Sequence, residues 1–462
     1  IGASNSAFGY SALNNNTTNN NSAFGFQALK ANTTGFRNNA FGYNALRNNT
    51  SGTYNTAFGY RSLASNVFGN YNVAIGSDAL NANTANYNVA IGTNALANNT
   101  TGTSNVAVGY LSLVLNTTGS SNNAFGFYSL RNNTTGANNC AFGYSSLRFN
   151  TIGQSNTAVG YGSLYSNTTG SNNSALGLSA LNANTTGINN TAMGRGSLQN
   201  NTIGSNNNAF GYYALRNNTI GTSNSAFGHQ SLQGNTTGVN NSAFGFQSLI
   251  YNTVGKYNSA FGYRSLFNNI TGSNNSAFGY LALKNNTTNN NSAFGYRALF
   301  NNTTGTYNVA VGASVLVSNT IGSKNAAVGF GALFANTTGK NNSAFGYNTL
   351  GGNTTGIQNT AMGGQALQNN TIGVNNSAFG SYALLNNTSG YQNTAVGYQS
   401  LKSNTIGDLN VAVGANALFS NTTGARNNAF GYKALYSNTI GLDNTGLGKQ
   451  SLSTNTVGNQ NT

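Results

Sequence analysis

Few residues in this chain could do chemistry, and they lie far apart. The only acids are Asp78, Asp408 and Asp443, glutamate is absent, and His229 and Cys140 are the sole histidine and cysteine. Glycoside hydrolysis needs two carboxylates facing one bond, and a hard-cation site needs several oxygen ligands together. Three scattered acids supply neither. One histidine cannot build a multi-histidine zinc site, and no acid stands near it to orient a catalytic triad. His229 occupies a position that is usually tyrosine, so it reads as a surface aromatic. Cys140 occupies a Ser/Thr position and reads as a small buried hydrophobe; being alone, it can form no internal disulfide. The glycines fall in neither G-x-G-x-x-G nor Walker spacing. No catalytic residue, cofactor or metal is expected, and the chain reads as a non-enzyme.

What the chain has instead is repetition. "NNSAFGYRALFNNTTG", residues 290–305, recurs in close variants from end to end. Aligned on the glycine of "AFG", from Gly9 to Gly448, there are twenty-seven copies, 17 residues apart except for three intervals of 16. Numbering a repeat from its asparagine gives N-x-A-F-G-Y-x-A-L-x-x-N-T-T-G-x-x, positions 1 to 17. The three short copies lack the position-15 glycine. Self-similarity at such a period marks stacked supersecondary units that bury their faces on one another.

The copies align the chain with itself. Positions 1 and 12 are always Asn, position 5 always Gly and position 9 always Leu. All 21 charged residues fall at positions 6, 7, 10, 16 or 17, which are therefore expected to meet water while the others face something packed. Position 4 is Phe in fifteen copies and another apolar residue in the rest. Wherever position 2 is Val (Val73, Val89, Val106, Val309, Val411), position 4 is Ile or Val and never Phe. Positions 2, 4 and 6 thus trade volume, which is period-2 behaviour and predicts a strand over positions 2–6.

Seventeen residues cannot hold two useful helices, and glycines at positions 5 and 15 would interrupt one at roughly 1 kcal/mol each. Asn-Gly and Asp-Gly hairpin signals never occur. The expected fold is all-β: a parallel β-solenoid (β-roll or β-helix) of about 27 coils, as one uncapped array over residues 1–462. At about 4.8 Å per rung it would form a rod of about 130 Å. Because it begins mid-repeat and stops just past a position-1 Asn, it reads as a window on a longer fibre.

Identical residues should stack into ladders. In two representative coils these are Asn72, Ala74, Gly76, Leu80 and Asn83, and Asn410, Ala412, Gly414, Leu418, Asn421, Thr422 and Gly424. The Asn amides would bond the rungs above and below, and the position-15 glycine would supply a positive-φ turn. Position 4 would form an apolar stripe including Phe8, Phe24, Phe41, Phe58, Phe261, Phe278 and Phe294. If Ala and Leu point inward, that stripe faces out and needs a partner to cover it. If Phe points inward, a monomer suffices.

"NVAIG" at 72–76 and 88–92, with "NSAFG" and "NTAVG" elsewhere, resembles the core of head repeats in trimeric autotransporter adhesins of the YadA type. The 17-residue "NTAxGYxALxxNTTG" pattern is also similar to shaft segments of phage and other fibres. The resemblance implies a left-handed parallel roll, trimerised side by side, on an extracellular, cell or virion surface. The coil here is longer than the family's, with "NTTG" as the extension.

The formal charge of +15 invites a binding role. Seven of the eighteen basic residues sit at position 10, making a loose cationic edge beside the position-6 aromatics. Tyr43, Arg47, Tyr263, Arg264, Tyr280 and Lys284 are the candidates for that edge, and the rings could stack on sugars. Weak attraction to anionic polysaccharide or cell surfaces fits better than specific nucleic-acid recognition. No apolar run approaches the roughly 20 residues of a membrane span. Sequons such as those at Asn48, Asn98 and Asn132 do not explain position 12, whose Asn persists at Asn201 and Asn404 where the sequon is lost. The leading expectation is a structural fibre or adhesin shaft, acting as a homo-oligomer (trimer) or end-to-end filament. The alternatives are a glycan- or receptor-binding module, or an ice-binding surface of threonine ladders.

Overall fold

The computed structural model describes residues 2–462, every coil contributing one three-residue strand at positions 2–4. The chain forms two compact units, residues 2–230 with 235–237, and residues 231–234 with 238–462. The first carries strands β1 (Ser6–Phe8) to β14 (Ser225–Phe227) and the second β15 (Ser242–Phe244) to β27 (Thr445–Leu447). Both are parallel β-solenoids. Successive strands pair in register within each, so that Ala90 lies beside Ala107 and Ala107 beside Ala124, and Ala395 beside Ala412.

The strand is shorter than the alternation predicts. It stops after position 4 because the position-5 glycine turns the chain at a φ near +130, as at Gly109 (φ 132) and Gly414 (φ 134). That glycine has a second constraint: a Cβ on Gly109 would lie 2.5 Å from the carbonyl oxygen of Gly126. Backbone bonding between coils continues through the bends. In the first unit Val106 N–H donates to the Asn122 carbonyl at 2.8 Å, Leu113 to Ser129 at 3.0 Å and Thr117 to Thr134 at 2.9 Å. The threonine hydroxyl adds to this, Thr117 Oγ1 donating to the Thr134 carbonyl at 3.1 Å. With that hydroxyl engaged inside the stack, the position-13 threonines do not form the free hydroxyl array that an ice-binding face requires.

The coil interior holds the position-3 alanine, the small position-8 residue and the position-9 leucine, with the two asparagines at its corners. Ala74, Leu80, Ala412 and Leu418 are fully buried, as are Asn72, Asn83, Asn410 and Asn421. Ala and Leu therefore point inward, and the Phe stripe points out. The position-9 leucine is in the left-handed region in coil after coil, at φ 51 in Leu80 and φ 50 in Leu418. An L-residue there costs roughly 1–2 kcal/mol. Burying a leucine side chain returns about 1.5–3 kcal/mol, which offsets the strain. A β-branched residue would be far worse in this conformation, which explains why Val and Ile never replace Leu.

The position-15 glycine does not supply a positive-φ turn, contrary to the expectation from sequence: positive φ occurs at positions 5, 7, 9 and 17 instead. Its role is close approach. A Cβ on Gly119 would lie 2.3 Å from the Gly136 carbonyl oxygen and 2.5 Å from Asn116 Oδ1. The Gly119 carbonyl accepts two amides, from Asn105 Nδ2 at 2.9 Å and Asn116 Nδ2 at 2.8 Å. Gly424 does the same for Asn410 and Asn421, at 2.8 and 2.9 Å.

Two predictions follow from coil 7 (residues 105–121). Asn116→Ala removes the bonds to Gly119 and Asn99 and leaves Asn133 Nδ2, which donates to Asn116 Oδ1 at 2.8 Å, with only its bond to the Gly136 carbonyl. It should destabilise the neighbouring coils by about 3 kcal/mol, read as roughly 100-fold faster amide hydrogen exchange there. Leu113→Ile, though isosteric, should exceed the roughly 1.5 kcal/mol limit of a volume-conserving swap, while Leu113→Met stays within it. Equal exchange rates in the two variants would show that the left-handed backbone does not select the residue.

Candidate functional site

The surface that could interact is built by three columns of side chains at positions 4, 6 and 10. Parallel in-register pairing places like on like at one rung spacing. Phe244, Phe261, Phe278 and Phe294 stack with ring centroids 4.6, 4.7 and 4.9 Å apart, and Phe24, Phe41 and Phe58 at 4.8 and 4.5 Å. Phe24, Phe58 and Phe294 are 39, 42 and 39% exposed, Phe41, Phe261 and Phe278 are half-buried, and Phe8 in the first coil is well exposed. Cys140, on the same outer face, is half-buried rather than buried, and Asn123 Nδ2 lies 3.8 Å from its Sγ.

Beside the Phe column runs the position-6 column. Tyr43 stacks between Phe26 (5.0 Å) and Tyr60 (5.4 Å), and Tyr263 between Phe246 (5.4 Å) and Tyr280 (5.1 Å), with planes within about 12° of parallel. His229 takes its place there as one more ring, stacked on Tyr212 at 5.1 Å. In these runs each ring's faces are covered by its neighbours. Only ring edges and hydroxyls reach solvent, so sugars cannot lie flat on Tyr43 or Tyr263 as the sequence suggested.

The cations lie against the aromatics. Arg264 places its guanidinium 5.2 Å from the Tyr263 ring centre and 5.1 Å from that of Phe267, and its Nε donates to Gln247 Oε1 at 2.8 Å. Lys284 Nζ is 5.3 Å from the Phe300 ring, whereas Arg47 is exposed. These contacts are each worth roughly 0.5–1 kcal/mol at an exposed site. They hold the charges along one edge without neutralising them.

Each of the three acids has its own partners. Asp78 accepts from Asn81 Nδ2 at 2.8 Å with Arg61 at 3.6 Å, and Asp408 accepts the Tyr391 N–H at 2.8 Å. Asp443 takes two bonds from Arg426, at 2.6 and 3.0 Å. Those bonds hold the Asp443 carboxyl below its ordinary range and push the Arg426 guanidinium up. Among the described residues no three of His, Cys, Asp and Glu come together, and no helix is long and apolar enough to cross a membrane.

The short coils show what the Asn ladder demands. In residues 72–87 the missing glycine is replaced by the carbonyl of Ala85, which accepts Asn72 Nδ2 at 2.8 Å and Asn83 Nδ2 at 2.9 Å. Asn99 still reaches Asn83 Oδ1 at 2.7 Å, but Asn66 Oδ1 below is buried without a partner. Register survives because the double acceptor survives, and the local defect costs on the order of 1–3 kcal/mol.

Sequence reasoning missed the left-handed positions, although a signal was present. Positions 7, 9 and 17 never carry Val, Ile or Thr in any of the 27 copies, in a chain rich in threonine. That exclusion is the signature of positive φ.

No family model matches this chain, and no curated protein registers as a relative.

Asp443 contributes stability above the usual carboxylate pKa, lost as pH falls through its depressed folded value; being exposed, it contributes little. With two further acids and one histidine in all, the denaturation midpoint should stay nearly flat from about pH 8 to about pH 4. A steep loss of stability within that window, followed by circular dichroism, would contradict it.

Proposed function

We propose that this chain is a structural shaft, an extracellular fibre or adhesin stem at a cell or virion surface, in which copies pack side by side through the Phe face. The half-exposed Phe column carries the reading. An uncharged aromatic ladder repeated over many coils is a larger apolar surface than soluble monomers leave to water. A second copy has the same rung repeat, so its side chains can interdigitate with the ladder along its whole length.

The volume trade between positions 2 and 4 supports a covered face. Val73 goes with Ile75, and Val309 with Val311, while Phe261 goes with Ser259. A face open to water sets no limit on summed side-chain volume, whereas a wall at fixed distance does. The likeness to trimeric autotransporter heads supports three copies about one axis and a surface location. A shaft needs stiffness and length, which backbone and Asn ladders supply, and it needs no catalytic groups. We propose none.

Sedimentation equilibrium tests the assembly. The wild-type chain should sediment at three times its monomer mass. The double variant Phe261→Asp, Phe278→Asp should fall to monomer while keeping its far-UV circular dichroism. A wild-type monomer at tens of micromolar would overturn the side-by-side assembly.

A further inference from the structure

Position 7 holds a long or bulky side chain in most coils, among them Gln27, Asn44, Arg61 and Leu111. In four successive coils it is Ser145, Gly162, Ser179 and Gly196, the longest run of small residues in that column. The run opens a trough in the first unit. Position-6 side chains (Tyr144, Tyr161, Leu178, Arg195) form one wall, and position-10 side chains (Arg148, Tyr165, Asn182, Gln199) form the other. Around Gly162 the trough holds a cavity of about 310 Å³, crossed by Asn182, whose Nδ2 donates to the Gly162 carbonyl at 2.8 Å; a separate one of about 90 Å³ lies around Gly196, where the Tyr213 ring stands 2.5 Å from the place of a Cβ. Tyrosine returns to position 7 in the coil on either side of the run. Tyr128 leans on Phe127 with centroids 4.1 Å apart, and Tyr213 on Tyr212 at 4.0 Å.

Four arginines surround the trough, two at each end. Arg131 and Arg148 lie over Tyr128, at 5.4 and 4.7 Å. Arg195 lies over Tyr212 at 5.9 Å and Arg216 over Tyr213 at 4.4 Å. The sequence holds no acid between Asp78 and Asp408, and none of these arginines pairs with a carboxylate. Polar groups at the Gly162 end are also unsatisfied: Ser145 Oγ, in a side chain 2% exposed, and Arg148 Nε have no hydrogen-bond partner. Arg148 bonds only weakly, from Nη1 to the Tyr165 hydroxyl at 3.4 Å. The Tyr212 and Tyr213 hydroxyls share a bond that pushes the Tyr212 phenol up and the Tyr213 phenol down.

We propose that this trough binds a linear, carboxylate-bearing oligosaccharide, its acid groups on the arginines at the two ends and its hydroxyls on the tyrosine and asparagine edges between them. Three rung spacings separate the outer coils, roughly 14 Å, a span suited to a short oligomer. Nucleic acid would need ring faces on which bases stack. Tyr144 and Tyr161 are stacked on each other at 5.1 Å and 5°, and the arginines cover Tyr128 and Tyr213, so edges and charges do the recognising. The site is additional to the shaft role and does not rest on it, since a single chain carries the whole trough.

Titration calorimetry on the full chain with tetragalacturonate tests the proposal, with cellotetraose and oligo(dT) as comparison ligands. Gly162→Gln fills the trough with a residue that position 7 accepts at the same backbone angle, as Gln27 (φ 54) shows against Gly162 (φ 61). Arg148→Gln removes one cation with a residue found at position 10 in Gln199. Each should weaken tetragalacturonate binding roughly tenfold or more with the melting profile unchanged. Lys324→Gln, at exposed position 17 of the second unit, where Gln358 shows that glutamine is accepted, should leave it unaltered. No binding of tetragalacturonate, equal binding of cellotetraose, or an undiminished affinity in Gly162→Gln would overturn the assignment. Oligo(dT) binding that is lost in the same variants would replace it with a single-strand site.

Discussion

Each coil closes on one carbonyl. At Gly119 or Gly424 a backbone oxygen accepts the side-chain amides of two asparagines at once, and no Cβ fits beside it. The same two asparagines carry the coil-to-coil ladders, with Asn116 Nδ2 reaching Asn99 Oδ1 at 2.8 Å and the Asn122 N–H reaching Asn105 Oδ1 at 3.0 Å. A buried amide left unpaired costs on the order of 1–3 kcal/mol, so any coil that lost this acceptor would pull against its neighbours. The short coils support this from the other direction: the glycine can go, provided that the Ala85 or Thr288 carbonyl takes its place.

The interior is narrow because of that closure. Between the Asn corners there is room for the position-3 alanine, a small position-8 residue such as Ala79 or Ser112, and one leucine, which must accept a left-handed backbone to point inward. Strain and burial are of similar size, so the position tolerates one residue type. With the large apolar residues excluded from so small an interior, the phenylalanines stand outside. The interior thus dictates the exterior, and an outward Phe column follows from an Ala-sized core.

Outside the closure, the solenoid lets side chains vary coil by coil while the backbone stays constant. Position 7 shows the consequence. Its left-handed backbone accepts Gln, Arg, Tyr, Ser or Gly with little change in angle, from φ 54 at Gln27 to φ 61 at Gly162. A trough can therefore be cut into the surface by changing a few consecutive residues, with no disturbance to the ladders beneath. Function placed on such a scaffold would be local in sequence, in contrast to globular enzymes whose sites gather distant segments.

Much of this protein was legible in its sequence, because twenty-seven copies reveal which positions are interchangeable. Period, parallel stacking, Asn ladders and the absence of any acid cluster could all be read from residue types at fixed spacing. Three things could not. Which face of the strand points inward depends on the width of the coil, which the Asn–Gly closure sets and alternation alone does not. The work of the position-15 glycine depends on a carbonyl of the next coil, a neighbour in space 17 residues away. The run of small residues at position 7 is visible in the sequence, but the side chains that bound the opening, Arg148, Tyr165 and Asn182 around Gly162 and Tyr213 around Gly196, are set by packing between rungs. Composition at one position is a property of the chain, whereas contact between successive coils is a property of the stack.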